Sequence, residues 1–588
     1  MRYFRIPRFT GIEAHRSDTD RGTLRLCEGA IPAPVGSLRS GPVWAALGGN
    51  EPGSHTEGKI YTFRDATNGN GIQMVSNGTF ITGVHINPNQ SKIPPVLGSL
   101  TADDATDDLT GTPYMSDVGN TTVCVGTGAG TVPSGSPGIR KIVCDGAGNH
   151  TVSSLDADDT AVADYYKMES SVFPKCTSFV VGMNKAIFAA GDSDNPLRVY
   201  VSEPATSEDP TREGVYSKDY LSKIDILCTN ASKITALSTY QNYIVVHTDA
   251  GVVLLYSTQP STQSIPGFRA EQVAGAANSG AINPNVVSGS AMIQPYYLGC
   301  AGQIWKDESA RRGPDHKPTY SDTAQVSWKA KGAWDKLVAA DISTAFSAYE
   351  PSTGFYTVGL PTQEAGSSNA RIATYMWHDM RASLSGPFIL PRRTCLTHVP
   401  DSSKMVAVDQ NHKVWTTDFE DMRDGSEFSS VSTPTNWDSG SDPSGDRVAV
   451  KKATPSFDYY GRTIATSMGD PAIGPTGSPD AYYPDSYLSV IETAYEDFGS
   501  QSNVKQWHEI ILSFRKNSWG NLWVYAQSED GKISGQYKGS IYGKEKIKTF
   551  INLRGRRMKF RIIMVTHKDH PWMITEAAVG YLEGKVYT

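Results

Sequence analysis

The stretch YQNYIVVHTDAGVVLLY, Tyr240–Tyr256, decides how this chain is read. A β-branched run meets a polar break at Asp249-Ala250-Gly251, and a second apolar run follows. That pattern is a β-hairpin. Its plan recurs. Ile187–Tyr200 (IFAAGDSDNPLRVY), Tyr296–Asp307 (YYLGCAGQIWKD), Phe346–Leu360 (FSAYEPSTGFYTVGL) and Met405–Thr417 (MVAVDQNHKVWTT) each hold a β run, a polar turn and a second β run. Counted from Ile187, Ile244, Tyr296, Ala348 and Met405, the starts lie 57, 52, 52 and 57 residues apart. One hairpin cannot bury its own apolar face, but a four-stranded sheet repeated at about 40–50 residues and packed around an axis can. The spacing therefore predicts a β-propeller; a β-sandwich, also rich in turns, is the competing architecture.

Composition agrees with an all-β chain. The 588 residues include 55 Gly, 34 Pro and 10% aromatics, with 39% hydrophobic and 20% charged residues. Such length predicts more than one domain. Short helices are conceivable near Ser217–Ile226 and Trp328–Ala340. The net charge of −7 gives no global sign of nucleic-acid binding. The opening residues, MRYFRIPRFTGIEAHRSD, hold no apolar h-region, and no run approaches a membrane span of about 18 apolar residues. The expectation is a chain without membrane span, made and kept in a cytoplasm. Seven scattered cysteines form no C-x-x-C pair, so buried free thiols are expected, with Cys124–Cys144 the one conceivable bridge.

The texture divides the chain. Residues 1–42 lead in and pack on the C-terminal domain. Residues 43–430 hold the repeats, interrupted at 100–164 by Gly-, Ser-, Thr- and Asp-rich sequence read as a long insertion. Residues 431–448 (from VSTPTNWDSGSDPSGD) read as a linker, and 449–588 as a β-sandwich-like domain of about six strands. In that last part Met558, Phe560, Ile562 and Met564 share one strand face, and Lys559, Arg561 and Ile563 the other. Base is concentrated there. Arg554, Arg556, Arg557, Lys559, Arg561 and Lys568 are the candidate partner-interface residues; a solvated strand face is the bland alternative.

Chemistry is hard to find. No P-loop, H-E-x-x-H, G-x-S-x-G or EF-hand pattern is present. Gly126–Gly130 (GTGAG) lacks the context of a phosphate loop. His567, Asp569 and His570 are too few for a metal site without further ligands. Asp401, Asp409 and Asp442 are turn residues more readily than glycosidase carboxylates. The reading is of a protein that is not an enzyme and uses neither cofactor nor metal.

Three further stretches, in chain order, carry a resemblance. Phe9–Pro42 (FTGIEAHRSDTDRGTLRLCEGAIPAPVGSLRSGP), Ile234–Tyr256 and Arg554–Gly584, with its R-G-R-R-M-K-F-R-I and H-P-W-x-I-x-E-x-A-x-G-Y-x-x-G, together resemble tail nozzle proteins of short-tailed bacteriophages. The first is similar to the segment before the propeller of that family, the second to its blade hairpins, the third to its C-terminal β domain. The matches cover about a quarter of the chain, and the stretch 100–164 has no place in the family pattern. The resemblance implies a virion tail protein assembled in the host cytoplasm. It implies a homo-oligomer, a hexameric ring below the adaptor and portal, with tail fibres or a tip attached and double-stranded DNA passing transiently through the channel. The basic C-terminal stretch would then face an adaptor or a neighbour. A glycan-binding or glycan-hydrolysing propeller is the other reading. It calls for repeated aromatic and Asp/Asn sets, or for a convergent carboxylate cluster, and neither stands out in the sequence.

Overall fold

The computed structural model describes residues 1–6, most of 24–46, strands between 59 and 153, most of 176–418 apart from stretches such as 202–221, 258–267 and 326–341, and most of 486–583. Among the described residues the structure is almost wholly β, and its helical content is confined to single 3-10 turns such as Pro284–Val286.

Why Tyr240–Tyr256 reads as continuously apolar is now plain. The Tyr243–Thr248 strand is buried at every position. Ile244 and Val246 pack with Val253 and Leu255 against Phe188 and Val199 of the preceding sheet. Val245 lies with Tyr296 and Tyr297 of the following sheet in another cluster. A strand covered on both faces loses the alternation of a half-exposed one. Contact is close on both sides. A Cβ on Gly182 would meet Ile244 at 2.3 Å, and one on Gly280 would meet the Thr248 carbonyl at 1.5 Å. Removing one methyl from this seam, Ile244→Val, is expected to cost about 1 kcal/mol in urea unfolding.

The repeat is a seven-bladed propeller among the described residues. Blade 1 is Lys59–Arg64, Gly71–Ser76, Phe80–Ile86 and Ser99–Thr101, and blade 2 is Tyr114–Gly119, Thr122–Gly126, Ile139–Cys144 and His150–Ser153. Blade 3 is Ser178–Val181, Ile187–Ala190, Arg198–Val201 and Ser222–Asp225, and blade 4 is Ile234–Tyr240, Tyr243–Thr248, Val252–Ser257 and Phe268–Gln272. Blade 5 is Ser288–Ser290, Ile293–Leu298, Ile304–Lys306 and Ala324–Gln325, and blade 6 is Phe346–Glu350, Phe355–Thr362, Arg371–His378 and Ser383–Leu390. Blade 7 is Arg393–His398, Lys404–Asp409 and Val414–Asp418, completed by Ala45–Ala46 from the N-terminal segment. Each first strand lies beside the first strand of the next blade, and that of blade 7 lies beside that of blade 1, so the circle closes. Hydroxyls bridge these first strands, which have no ladder between them. Ser178 Oγ accepts from the Leu237 N–H at 2.8 Å, and Ser288 and Ser347 meet at 2.8 Å.

Several expectations change. The stretch 100–164 is no insertion: it carries blade 2. Its Gly- and Asp-rich sequence hid short strands. Cys124 pairs with Lys141, three residues from Cys144, a displacement of about 10 Å along the strand that puts a bridge out of reach. The Phe346–Leu360 hairpin joins the first and second strands of its blade, whereas the others join the second and third. Its spacing agreed with theirs by coincidence of neighbouring hairpins. Ser222–Asp225, placed near a helix, is a strand paired to Arg198–Val201, and Arg198 meets Asp225 at 2.7 Å across it. Trp328–Ala340 and residues 431–448 lie outside the described residues.

The C-terminal part is a two-sheet sandwich. One sheet runs in the order Ala30–Pro32, Leu38–Ser40, Met573–Glu583, Lys505–Phe514, Lys546–Gly555, and Arg2–Ile6 also pairs with Met573–Glu583. The other runs Leu24–Glu28, Ser486–Thr493, Met558–His567, Asn521–Ser528, Ile533–Ser540. Trp507, Phe560, Ile562, Met564 and Trp572 are fully buried in the core. The Leu24–Glu28 strand also pairs with the last strand of blade 6 through Cys27 and Gly386. Blade 6 and the second sheet thus make one nine-stranded sheet.

Candidate partner interface

The basic residues of the C-terminal segment separate into two groups. Lys559 and Arg561 stand on the Met558–His567 strand, beside Glu492 of the neighbouring strand. Arg561 donates to one Glu492 oxygen at 2.8 and 2.5 Å, and Lys559 donates to the other at 2.7 Å while lying 5.4 Å from the Tyr495 ring. All three side chains are nearly buried. Burial pushes the Glu492 carboxyl up, but the Arg561 and Lys559 cations outweigh it and hold the carboxyl below its usual range. These two cations are engaged inside the subunit, which corrects their assignment to a partner interface. An alternating strand put them on the outward face; the counter-charge lay 67 and 69 residues away in sequence.

The second group is on the surface. Along Lys546–Gly555, Ile547, Thr549, Ile551 and Leu553 point into the core, and Lys546, Lys548, Phe550, Asn552 and Arg554 point out. Phe550 is 64% exposed. A row across the sheet joins it to the N-terminus: Tyr3 lies opposite Gly580, Gly580 opposite Glu509, and Glu509 opposite Phe550. Tyr3 donates to Glu509 at 2.5 Å, which also lies 3.8 Å from Lys548 Nζ. Gly580 makes this row possible, because a Cβ there would meet Glu509 at 2.9 Å and the Tyr3 ring at 3.1 Å. Met1, Tyr3 and Leu582 are exposed at 58%, 52% and 47%. The face thus has an apolar, aromatic centre. Lys546 and Arg554 edge it with no ion-pair partner among the described residues, as is Arg556 in the turn beyond. Arg557 is half-buried, and Lys568 lies outside the described residues.

Aromatic, methionine and arginine side chains are the composition of protein contact surfaces. The sequence reading found the arginines and missed Met1, Tyr3, Phe550 and Leu582. The signal for Phe550 was legible: it sits in phase with Lys546, Lys548 and Arg554. Reversing Lys546 and Arg554 to Glu is expected to leave the melting temperature within the scatter of ordinary surface changes, about 0.5 kcal/mol.

Elsewhere the geometry favours structure. Among the described residues no three His, Cys, Asp or Glu side chains converge as a metal site would require. His567, Asp569 and His570 lie outside the residues whose side chains are described, as do Asp401, Asp409 and Asp442. Burial pushes the thiols of Cys27, Cys176 and Cys300 up, away from thiolate chemistry. It pushes His247 down to about 3, so that this imidazole is neutral between blades, with Nε2 3.2 Å from Ser238 Oγ. Asp192 and Asp249 anchor turns, accepting from Tyr200, Asn195 and the Asp194 amide, and from Ser232 and the Lys233 amide.

No family model matches the chain, and no curated protein matches it. Among solved structures it is similar to a candidate 6-phosphogluconolactonase from Bacteroides uniformis, with 12% identity, 60% of this chain and 90% of that chain covered, and a TM-score of 0.36. It is also similar to the β-propeller domain of Cps50 (Swd1) from Myceliophteria thermophila, with 8% identity, 62% and 98% coverage, and a TM-score of 0.26. Neither likeness is close enough to bear on function. The sheet topology itself defines an all-β protein, a closed propeller stitched to a sandwich.

Proposed function

We propose that the chain is a structural, non-catalytic subunit of a short-tailed phage tail, a nozzle ring that extends the DNA-ejection channel and anchors fibres or tip proteins. The observation that carries this reading is the uncovered sandwich face, with Tyr3, Phe550 and Leu582 at its centre and Lys546 and Arg554 at its edge. A solvated subunit gains nothing from such a face, and an assembling one does. The resemblance of Phe9–Pro42, Ile234–Tyr256 and Arg554–Gly584 to nozzle proteins supports the same reading. The weaving of the N-terminal segment through both domains supports it too, because such pairing ties propeller and sandwich together. A net charge of −7 suits a channel wall that must release DNA, since each neutralised phosphate would retard passage.

Mass photometry of the purified chain over a range of concentrations tests it. Discrete assemblies of about six copies are expected, because heterologous contacts between wedge-shaped subunits close into rings. A monomer at every concentration that binds or cleaves a glycan would overturn it in favour of a glycan-active propeller.

A further inference from the structure

One exposed side chain stands apart from the sandwich face. Leu227 is 85% exposed, the most of any large hydrophobic residue described. It sits in the loop of residues 226–233, which joins blade 3 to blade 4. That loop is fixed along its length. Before Leu227, Ile226 is buried, and its N–H donates to the Leu197 carbonyl at 2.8 Å. After it, Thr229 donates to Gln272 through its N–H and its hydroxyl, at 3.1 and 3.2 Å, and Asn230 turns the chain at φ 64. The Ser232 N–H donates to Asp249 at 2.8 Å, and the Ile234 N–H to the Pro196 carbonyl at 2.7 Å. Docking a leucine held in such a frame orders little chain, so its burial is not offset by lost loop freedom.

The surroundings of this tip are acidic. Asp192, Asp194 and Asp249, in the turns that hold the loop, have no ion pair among the described residues, whereas Asp225 is matched by Arg198. Lys233 is the one cation within the loop and those turns. On the sandwich face the balance is reversed. Arg5 meets Glu576 at 3.0 Å and Lys548 approaches Glu509, which leaves Lys546 and Arg554. Tip and face thus oppose each other in charge, and each has an apolar centre. They are also separate in the fold. The sandwich is joined to blade 6 through the Cys27–Gly386 pairing, and the tip stands at the seam of blades 3 and 4, beyond blade 5 in the closed circle. Two unlike surfaces at separate places on one subunit are what a heterologous contact joins, and such a contact propagates from copy to copy and closes where the rotation allows.

We infer that the Leu227 tip of one copy docks on the outer sandwich face of the next, its leucine against Tyr3, Phe550 and Leu582 and its aspartates toward Lys546 and Arg554. This contact rests on the ring reading above and names the neighbour that the face receives. The desolvated apolar groups anchor it, and the opposed charges fix its orientation. Pairing of two sandwich faces would bring like charges together, which disfavours a two-fold dimer.

Two variants of the whole chain, each spoiled on one side of the contact, test this. Leu227→Asp spoils the tip and Phe550→Asp the face. Both positions are exposed, so each variant is expected to melt as the wild type does. Association is read by analytical ultracentrifugation over a range of concentrations. Each variant alone is expected to associate at least about tenfold more weakly than the wild type. Leu227→Met, which keeps an apolar tip, is expected to associate as the wild type does. Mixed in equal amounts, the two spoiled chains offer one intact tip and one intact face, so they are expected to form one-to-one pairs that grow no further. A Leu227→Asp chain that assembles as the wild type does overturns this contact and leaves the ring reading standing. So does a mixture that stays as weakly associated as its components, or one that grows past pairs, while the wild type assembles. A wild-type chain that forms no assembly overturns both.

Discussion

A chain lacking residues 1–46 is expected to lose its cooperative fold. That segment contributes strands to three places at once. Arg2–Ile6 and Leu38–Ser40 pair with Met573–Glu583, Leu24–Glu28 lies between blade 6 and the second sandwich sheet, and Ala45–Ala46 completes blade 7. Ile6, Phe9, Leu24, Ile31 and Leu38 are each at most 3% exposed. At about 2 kcal/mol apiece their burial contributes on the order of 10 kcal/mol, as large as the net stability of a whole domain. Calorimetry should show the single transition of the full chain replaced by broad, separate transitions at lower temperature, or by insoluble protein. A truncated chain that melts as the full chain does would contradict the pairing. A gentler version is Gly386→Val. Gly386 has φ +128, and a Cβ there would meet the Thr374 carbonyl at 2.9 Å. That strain, at the residue paired with Cys27, should cost about 3 kcal/mol and loosen the propeller from the sandwich.

The second large effect concerns the Glu492 cluster. Glu492→Gln removes the carboxylate that the nearly buried Arg561 and Lys559 share. Breaking a buried pair in this way costs about 3–5 kcal/mol. Replacing all three together, Glu492→Leu, Lys559→Met and Arg561→Met, should return much of that loss, because desolvating the charges costs nearly what their attraction gives. The pH dependence has a definite sign. The folded carboxyl is held below its ordinary value of 4.5. Its contribution is therefore complete above about pH 4.5 and is lost as pH falls through the lower folded value. Urea titrations from pH 7 to pH 3 should show the wild-type chain losing stability over that acid range more steeply than Glu492→Gln. Equal slopes would contradict the network. Assembly of the triply substituted chain should match the wild type, since these cations are engaged with Glu492 of the same subunit.

Much of this architecture is legible from residues. Ile244–Tyr256 announces a strand covered on both faces, and the turns at Asp192 and Asp249 mark hairpins through their own side-chain acceptors. The alternation Met558, Phe560, Ile562, Met564 finds its core face. Blade 2 was hidden because its strands are short and its sequence, rich in Gly and Asp, offers little apolar contrast. The fate of Lys559 and Arg561 was hidden for another reason. Periodicity assigns a side chain to a face, but whether that face is wet depends on a partner strand about 70 residues away. The same limit applied to the N-terminal strands. Arg2 reaches Glu583, and Ser489 donates to the Gly29 carbonyl, across separations of 581 and 460 residues. Tyr3 and Phe550 become one surface only through three such pairings in a row.

We propose a building block, propeller and sandwich tied together by the N-terminal strands, whose function is assembly. Negative-stain images of the purified full chain, sorted into class averages, test it most directly. Closed rings of about six subunits around a central hole are expected, with the propellers repeating at equal angles. Single propeller-sized particles at every protein concentration and salt would contradict it.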